Sequence, residues 1–486
     1  MAIRLCNAPG VSIIRHAMKR IPLFGLLSAA LLALMALGGC VTAPGPPPAE
    51  EQPPDLLTIP EAYRAISLSV QTGDPAAAMA AYEEANLNNP DDPGTQVLLA
   101  NLYLIAGELD AAQTVLQEVL ALEPENTDAL YLLSLVRASR GDTAGQRTIL
   151  EQIVAIDPEN AQALSALGEL QLVGRSTRAA EASFQSAVAA DPGNLVARVG
   201  LANVYLRQRR YQEAEEQLTA AIDVSPDYSF AYSDRARAHV QQFELGQAEG
   251  DLTRAIELEP DYYWHYVDRG RVRFERRRYA AAAEDFDRAI LLDGDRFLGY
   301  ALRARALDAM DEYERALADY QIVLARRPDY VPAYAPTAVL FYMFEDYNAA
   351  EPLFRAAFEE DQQRVEFALL AALAMMHDER TAQASRFLTG EVNFLPRESI
   401  EYQMMRYYIQ PANEGLVLTQ LRDLRDNTLK ARMYFYLGAR MELLGRTQTA
   451  QASFLQAEAE LPPGFMEQRL ASWRLQSYRS QEGAGE

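Results

Sequence analysis

The chain is poor in residues that staple a fold, hold a metal or grip a polyanion. Of 486 residues only two are cysteine, Cys6 and Cys40, so no disulfide framework supports the fold. Four are histidine, and lysine occurs twice, at Lys19 and Lys430. Basic charge is otherwise arginine, a bias that a GC-rich genome explains. The net charge is −23, which argues against nucleic acid and against broad attraction to anionic lipid. No HExxH, no Cys/His cluster, no glycine-rich phosphate loop and no G-x-S-x-G elbow occurs. The chain is therefore read as a non-enzyme, with no cofactor and no metal.

What the chain does have is a period. Pro90, Pro124, Pro158, Pro192, Pro226, Pro260, Gly294 and Pro328 recur every 34 residues without insertion or deletion. A fixed period of this length marks stacked supersecondary units. Within residues 195–228, Leu201 and Tyr205 share one helix face, and Ala214, Leu218 and Ala221 share a second. Arg207 to Arg210 is a polar break between them, and Pro226 stops the second helix. A small residue holds the eighth slot of seven successive units: Ser134, Gly168, Ala202, Ala236, Gly270, Ala304 and Ala338. That is the residue type two closely crossing helices need.

This pattern resembles the tetratricopeptide repeat family, a 34-residue helix-turn-helix unit. The resemblance implies an all-α fold, a right-handed α-solenoid of about ten to twelve hairpins. The regular array spans residues 59–364. Residues 365–430 are read as degenerate helical repeats, and 431–464 recover the frame with the phase slipped by two. Met466, Leu470 and Trp473 stripe a last helix within 465–486 that caps the open core face. Residues 479–486 read as a disordered polar tail.

The N-terminal 40 residues read as a targeting segment. Arg15, Lys19 and Arg20 precede an apolar run from Ile21 to Leu37, closed by Leu37-Gly38-Gly39-Cys40. This resembles the bacterial lipobox, which implies diacylation of Cys40 with palmitate-type chains and an envelope address. Met18 is an alternative start. Val41, where an aspartate retains such proteins at the inner membrane, favours the outer membrane facing the periplasm. Residues 41–58 are a proline-rich, acidic tether, about 55 Å long if extended as polyproline II. The segment before Cys40 holds four of the 45 basic residues and none of the 68 acidic ones, so the remainder carries −27.

Comparing repeats inside the chain sorts its arginines. At the seventh slot Leu99, Leu133, Leu167 and Leu201 give way to Arg235, Arg269 and Arg303. Sixteen residues later the same three units, and not the leucine units, carry Asp251, Asp285 and Asp319. A guanidinium between helices needs a carboxylate, so these are expected to be structural ion pairs. Two residues beyond lie Arg237, Arg271 and Arg305, preceded by Asn203 and Asn101 in the same slot. In the family this slot faces the concave groove. Asn203, Arg237, Arg271 and Arg305, with Phe230, Trp264, Phe274 and Leu298 nearby, are the candidate partner-binding ladder. Asp234 and Asp268 stand three residues before two of these arginines, the spacing of an ordinary helix-surface pair. His239 takes the slot of Tyr205 and reads as packing.

The expected function is that of a non-catalytic, lipid-anchored scaffold holding a protein or peptide in its groove. It resembles outer-membrane tetratricopeptide lipoproteins that serve pilus assembly, protease adaptation or murein-enzyme organisation. An accessory periplasmic subunit of a solute transporter and a surface adhesin are the alternatives. The irregular 363–430 segment is where such a chain would pair with a copy of itself.

Overall fold

The computed structural model describes residues 59–483; Cys40, the lipobox and the tether lie outside them. The described residues form 25 α-helices and no strand. None of these helices is long and apolar enough to cross a membrane. The helices run in chain order as first and second members of successive repeats, and the fold is an all-α solenoid. Two compact units divide the chain, residues 1–244 and 245–486.

The first unit holds α1 (Ile59–Thr72), α2 (Pro75–Glu84), α3 (Pro93–Ala106), α4 (Leu109–Leu122), α5 (Thr127–Ser139) and α6 (Thr143–Ile156). It continues with α7 (Ala161–Val173), α8 (Thr177–Ala190), α9 (Leu195–Arg207), α10 (Tyr211–Val224) and α11 (Ser229–Gln241). Asn126, Asn160 and Asn194, each two residues after a periodic proline, cap α5, α7 and α9 by accepting the N–H of the third helical residue. Among successive first helices, α3 and α5, α7 and α9, and α9 and α11 touch directly, whereas no successive second helices of this unit pack as closely, which puts the first helices on the inside of the curve. The apolar core is divided into patches, each shared by adjacent helices.

The second unit holds α12 (Leu245–Leu258), α13 (Tyr263–Glu275), α14 (Tyr279–Leu292), α15 (Phe297–Asp308), α16 (Tyr313–Arg326), α17 (Tyr334–Met343) and α18 (Tyr347–Glu360). It ends with α19 (Val365–His377), α20 (Thr381–Glu391), α21 (Ile400–Ile409), α22 (Glu414–Asp423), α23 (Asn427–Leu443), α24 (Thr447–Glu460) and α25 (Met466–Gly483). The small eighth slot is explained at Gly270, where an added Cβ would stand 2.5 Å from the Phe286 ring of the paired helix. That aromatic lies sixteen residues on, the spacing that joins Gly168 to Phe184 as well.

From Ala301 onward this unit has one continuous core. Every residue of α19 from Val365 to Met376 is buried, because α18, α20, α21 and α23 surround it. A helix apolar on all sides is the sequence such a position requires. The degenerate look of residues 365–430 thus has a structural cause: α19 gives up the two-faced repeat pattern to become a central helix. The C-terminal helix also does more than cap. α25 packs on α24 and α23 and reaches α17, and Arg469 donates to both carboxylate oxygens of Asp308, at 2.8 and 3.2 Å. It runs to Gly483, so residues 479–483, expected as disordered tail, are helical: burial of Leu470, Leu475 and Tyr478 carries the helix that far.

Candidate partner-binding face

The arginine–aspartate pairs form in the second unit. Arg269 donates through Nε and Nη2 to Asp285, the shortest bond 2.7 Å, and Arg303 does the same to Asp319 at 2.7 and 2.6 Å. The aspartates are buried, and the guanidinium forks reach them bidentately from the half-buried first helices. Each arginine also turns its remaining nitrogen sixteen residues back. Arg235 donates to Thr219 at 3.1 Å, Arg269 to Thr253 at 3.3 Å and Arg303 to Asp287 at 2.6 Å. The seventh-slot arginine therefore fastens its own helix to the second helix of the preceding repeat. Asp285 takes a second cation, Arg273, at 3.0 Å, so it is not left alone if either arginine is lost. Burial raises its pKa, and the two guanidiniums reverse that only in part.

A hub that the sequence comparison missed lies beside them. Buried Glu249 accepts from Arg273 at 2.9 Å, from Arg278 at 2.7 Å and from Arg276. Burial pushes its carboxyl up, and the three guanidiniums more than reverse this, leaving it below the usual range. The signal was present: Glu181, Glu215 and Glu249 recur every 34 residues.

The ladder divides by unit. In the first unit Arg237 is tied down: it pairs with Asp234 at 2.5 Å and donates to Asn203 Oδ1 at 3.3 Å. Asn203 in turn donates to the backbone of Val199 at 3.0 Å. Phe230 is buried, its ring 5.7 Å from Tyr228, and so belongs to the packing. The slot also holds a residue sequence comparison passed over, half-buried Glu169 on α7. Burial raises its carboxyl to about 7. The Tyr131 hydroxyl on α5, raised to about 12 by burial, feels the Glu169 charge.

In the second unit Arg271 on α13 and Arg305 on α15 are different. Around them Arg269, Arg273, Arg276, Arg278, Arg296 and Arg303 all have carboxylate partners. Neither Arg271 nor Arg305 has one among the described residues. Arg305 is exposed and lies over the half-buried Phe274 ring at 4.9 Å. Trp264 is half-buried on the same first helix as Arg271, edge-on to Tyr263 at 5.1 Å, with Arg296 5.6 Å from its ring. Two guanidiniums without carboxylate partners and two partly open aromatic rings thus share α13 and α15, Arg305 resting on the Phe274 ring. Further along, α25 covers the inner side: Asp308 at the end of α15 is engaged by Arg469, and Tyr342 on α17 lies 6.2 Å from Trp473.

Family models for the tetratricopeptide repeat match residues 69–136, 103–170 and 175–240, and a second such model matches 147–194 and 233–296. Residues 69–296 are tetratricopeptide repeats. No curated protein matches the chain. Among solved structures, the pilF protein of Pseudomonas aeruginosa is 21% identical, covering 42% of this chain and 94% of its own, with a TM-score of 0.38. YrrB, described as a tetratricopeptide protein with an unusual peptide-binding site, is 18% identical over 38% of this chain and 95% of its own, TM-score 0.35. A tetratricopeptide repeat protein of Parabacteroides merdae is 20% identical over 51% and 98%, TM-score 0.36. At these scores the likenesses carry no functional argument. Tetratricopeptide arrays are in general non-catalytic scaffolds for protein and peptide partners.

Proposed function

We propose that the chain is an envelope-anchored scaffold that captures an acidic protein or peptide segment on the inner face of α13 and α15. The observation that carries this reading is the pair Arg271 and Arg305, left without carboxylates in a region where nearly every neighbouring arginine has one. A planar guanidinium without a carboxylate partner suits an incoming carboxylate, and Trp264 and the Phe274 ring under Arg305 supply apolar surface beside it. Arg237, Asn203 and Phe230 drop to a supporting role, because their groups are already engaged or buried. The sequence around Cys40 supports the anchor, and residues 41–58 would hold the repeats off the lipid.

Envelope crosslinking with mass spectrometry tests it. The double variant Arg271→Glu, Arg305→Glu is expected to lose about tenfold or more of partner capture, the scale of two lost charged contacts, with little change in thermal stability. Undiminished capture rejects the face. Release of a Cys40→Ser chain from the membrane fraction is the expected result for the anchor, and its retention there rejects lipidation.

A further inference from the structure

Four joints between repeats carry a glutamate at slot 21, Glu181, Glu215, Glu249 and Glu351; three of them obey a charge rule and one breaks it. The rule pairs slot 21, on a second helix, with slots 11, 14 and 16 of the next repeat. At the first joint Glu181 meets Arg210 at 2.6 Å and Gln208 at 2.8 Å. At another, Glu249 meets Arg273, Arg276 and Arg278. At a third, Glu351 meets Arg380 at 3.3 Å. Each carboxylate faces a guanidinium. At the joint of α10 and α11 the carboxylate is Glu215, and Gln242 donates to it at 2.9 Å as Gln208 does to Glu181. Slot 16, however, is not arginine but a second carboxylate, Glu244. Between the two stands the buried imidazole of His239, its Nδ1 2.8 Å from Glu244 Oε2 and 3.9 Å from Glu215 Oε2. The three candidate ligand atoms lie within 4.8 Å of one another.

We propose that Glu215, His239 and Glu244 bind a divalent transition-metal ion where the sibling joints place a guanidinium. One imidazole nitrogen and two carboxylates are a ligand set for zinc, cobalt or nickel, with water completing the shell. Ligands about 2.0–2.1 Å from a tetrahedral ion stand roughly 3.3 Å apart, a value that the 2.8 and 3.9 Å separations bracket. Rotamer adjustments of the two partly exposed glutamates would equalise them. Gln242 then serves as the outer partner that orients Glu215. The ion neutralises the second carboxylate and locks the turn at residues 242–244 onto α10. The role first read for His239, packing in the Tyr205 slot, is compatible with this: the ring is buried and only its Nδ1 edge faces the carboxylates.

The test uses the full chain without a histidine tag, stripped with chelator. It is titrated with zinc by calorimetry and with cobalt by visible absorption. One equivalent of zinc is expected to bind and to raise the melting temperature, and cobalt is expected to give visible d–d bands. Glu244→Arg, which restores the residue of the Arg210 joint, and Glu244→Gln should each weaken binding by about tenfold or more. Glu244→Arg should also melt higher than the metal-free parent. Absence of stoichiometric zinc binding overturns the proposal. So does binding that survives unchanged in both variants, since it would then lie at His265, at His377 or on the acidic surface.

Discussion

At the scale of single residues, the repeat lets one position be judged against its siblings. Arginine and aspartate sixteen residues apart appear and vanish together, and a guanidinium between two helices is costly without a carboxylate, so Arg269–Asp285 and Arg303–Asp319 were legible. The Glu249 hub was not, because its arginines come from the next repeat and no one unit shows the match. Glu169 shows what an unmatched charge costs. Its pKa is raised from an ordinary 4.5 to about 7 by burial. A folded pKa above the unfolded one means the group favours the fold below about pH 4.5, and that contribution is lost as the pH rises through about 7. Glu169→Gln is therefore expected to gain about 1–3 kcal/mol at pH 8 and almost nothing at pH 4, read from urea unfolding at both values. An equal change at both would place the effect in packing instead.

Among the elements, helices and their period were plain, and the turns between them were not. After most first helices one residue turns into the left-handed region. Gly73, Gly107, Gly141 and Gly445 occupy that position in four repeats, but Arg175, Arg209, Phe243, Arg277, Asp311, Glu345 and Glu379 hold it elsewhere, with φ from 59° to 63°. Sequence reading missed the slot because glycine, its usual marker, is mostly absent. At Arg277 the geometry is a Schellman turn: its N–H reaches Phe274 O at 2.9 Å, and Arg278 N–H reaches Arg273 O at 2.8 Å. Arg277 is exposed and has no ion pair among the described residues, so Arg277→Gly is expected to remove mainly the backbone penalty. A gain of about 1 kcal/mol is expected in thermal unfolding, and a loss would show that the side chain matters. The central role of α19 was equally hidden, since a run of apolar and small residues says that a helix is buried without saying what surrounds it.

Each unit, taken whole, has its own cohesion. In the first, the apolar core is split into separate patches, each over a few neighbouring helices, the arrangement in which stability adds up from neighbour to neighbour. In the second, one core runs from Ala301 to Tyr478. Amide exchange is expected to fall off stepwise along residues 59–244 and to be shared as one plateau by α17, α19, α21 and α23. A graded profile across those four helices would contradict a single core. The period foretold a stack; it could not foretell that the stack closes on itself, because closure depends on contacts 161 residues apart such as Arg469–Asp308.

That last contact sets an order of events during synthesis. Domains fold roughly as they emerge, at about 5–20 residues per second. α19 leaves the ribosome some ninety residues ahead of α25. For those seconds the inner side of α17 and α23 has no lid, and a nascent chain stalled before Met466 would offer proteases and chaperones its most water-averse surface. A chain ending before Met466 is thus expected to be degraded faster than the full chain, which a pulse-chase comparison of the two reads out.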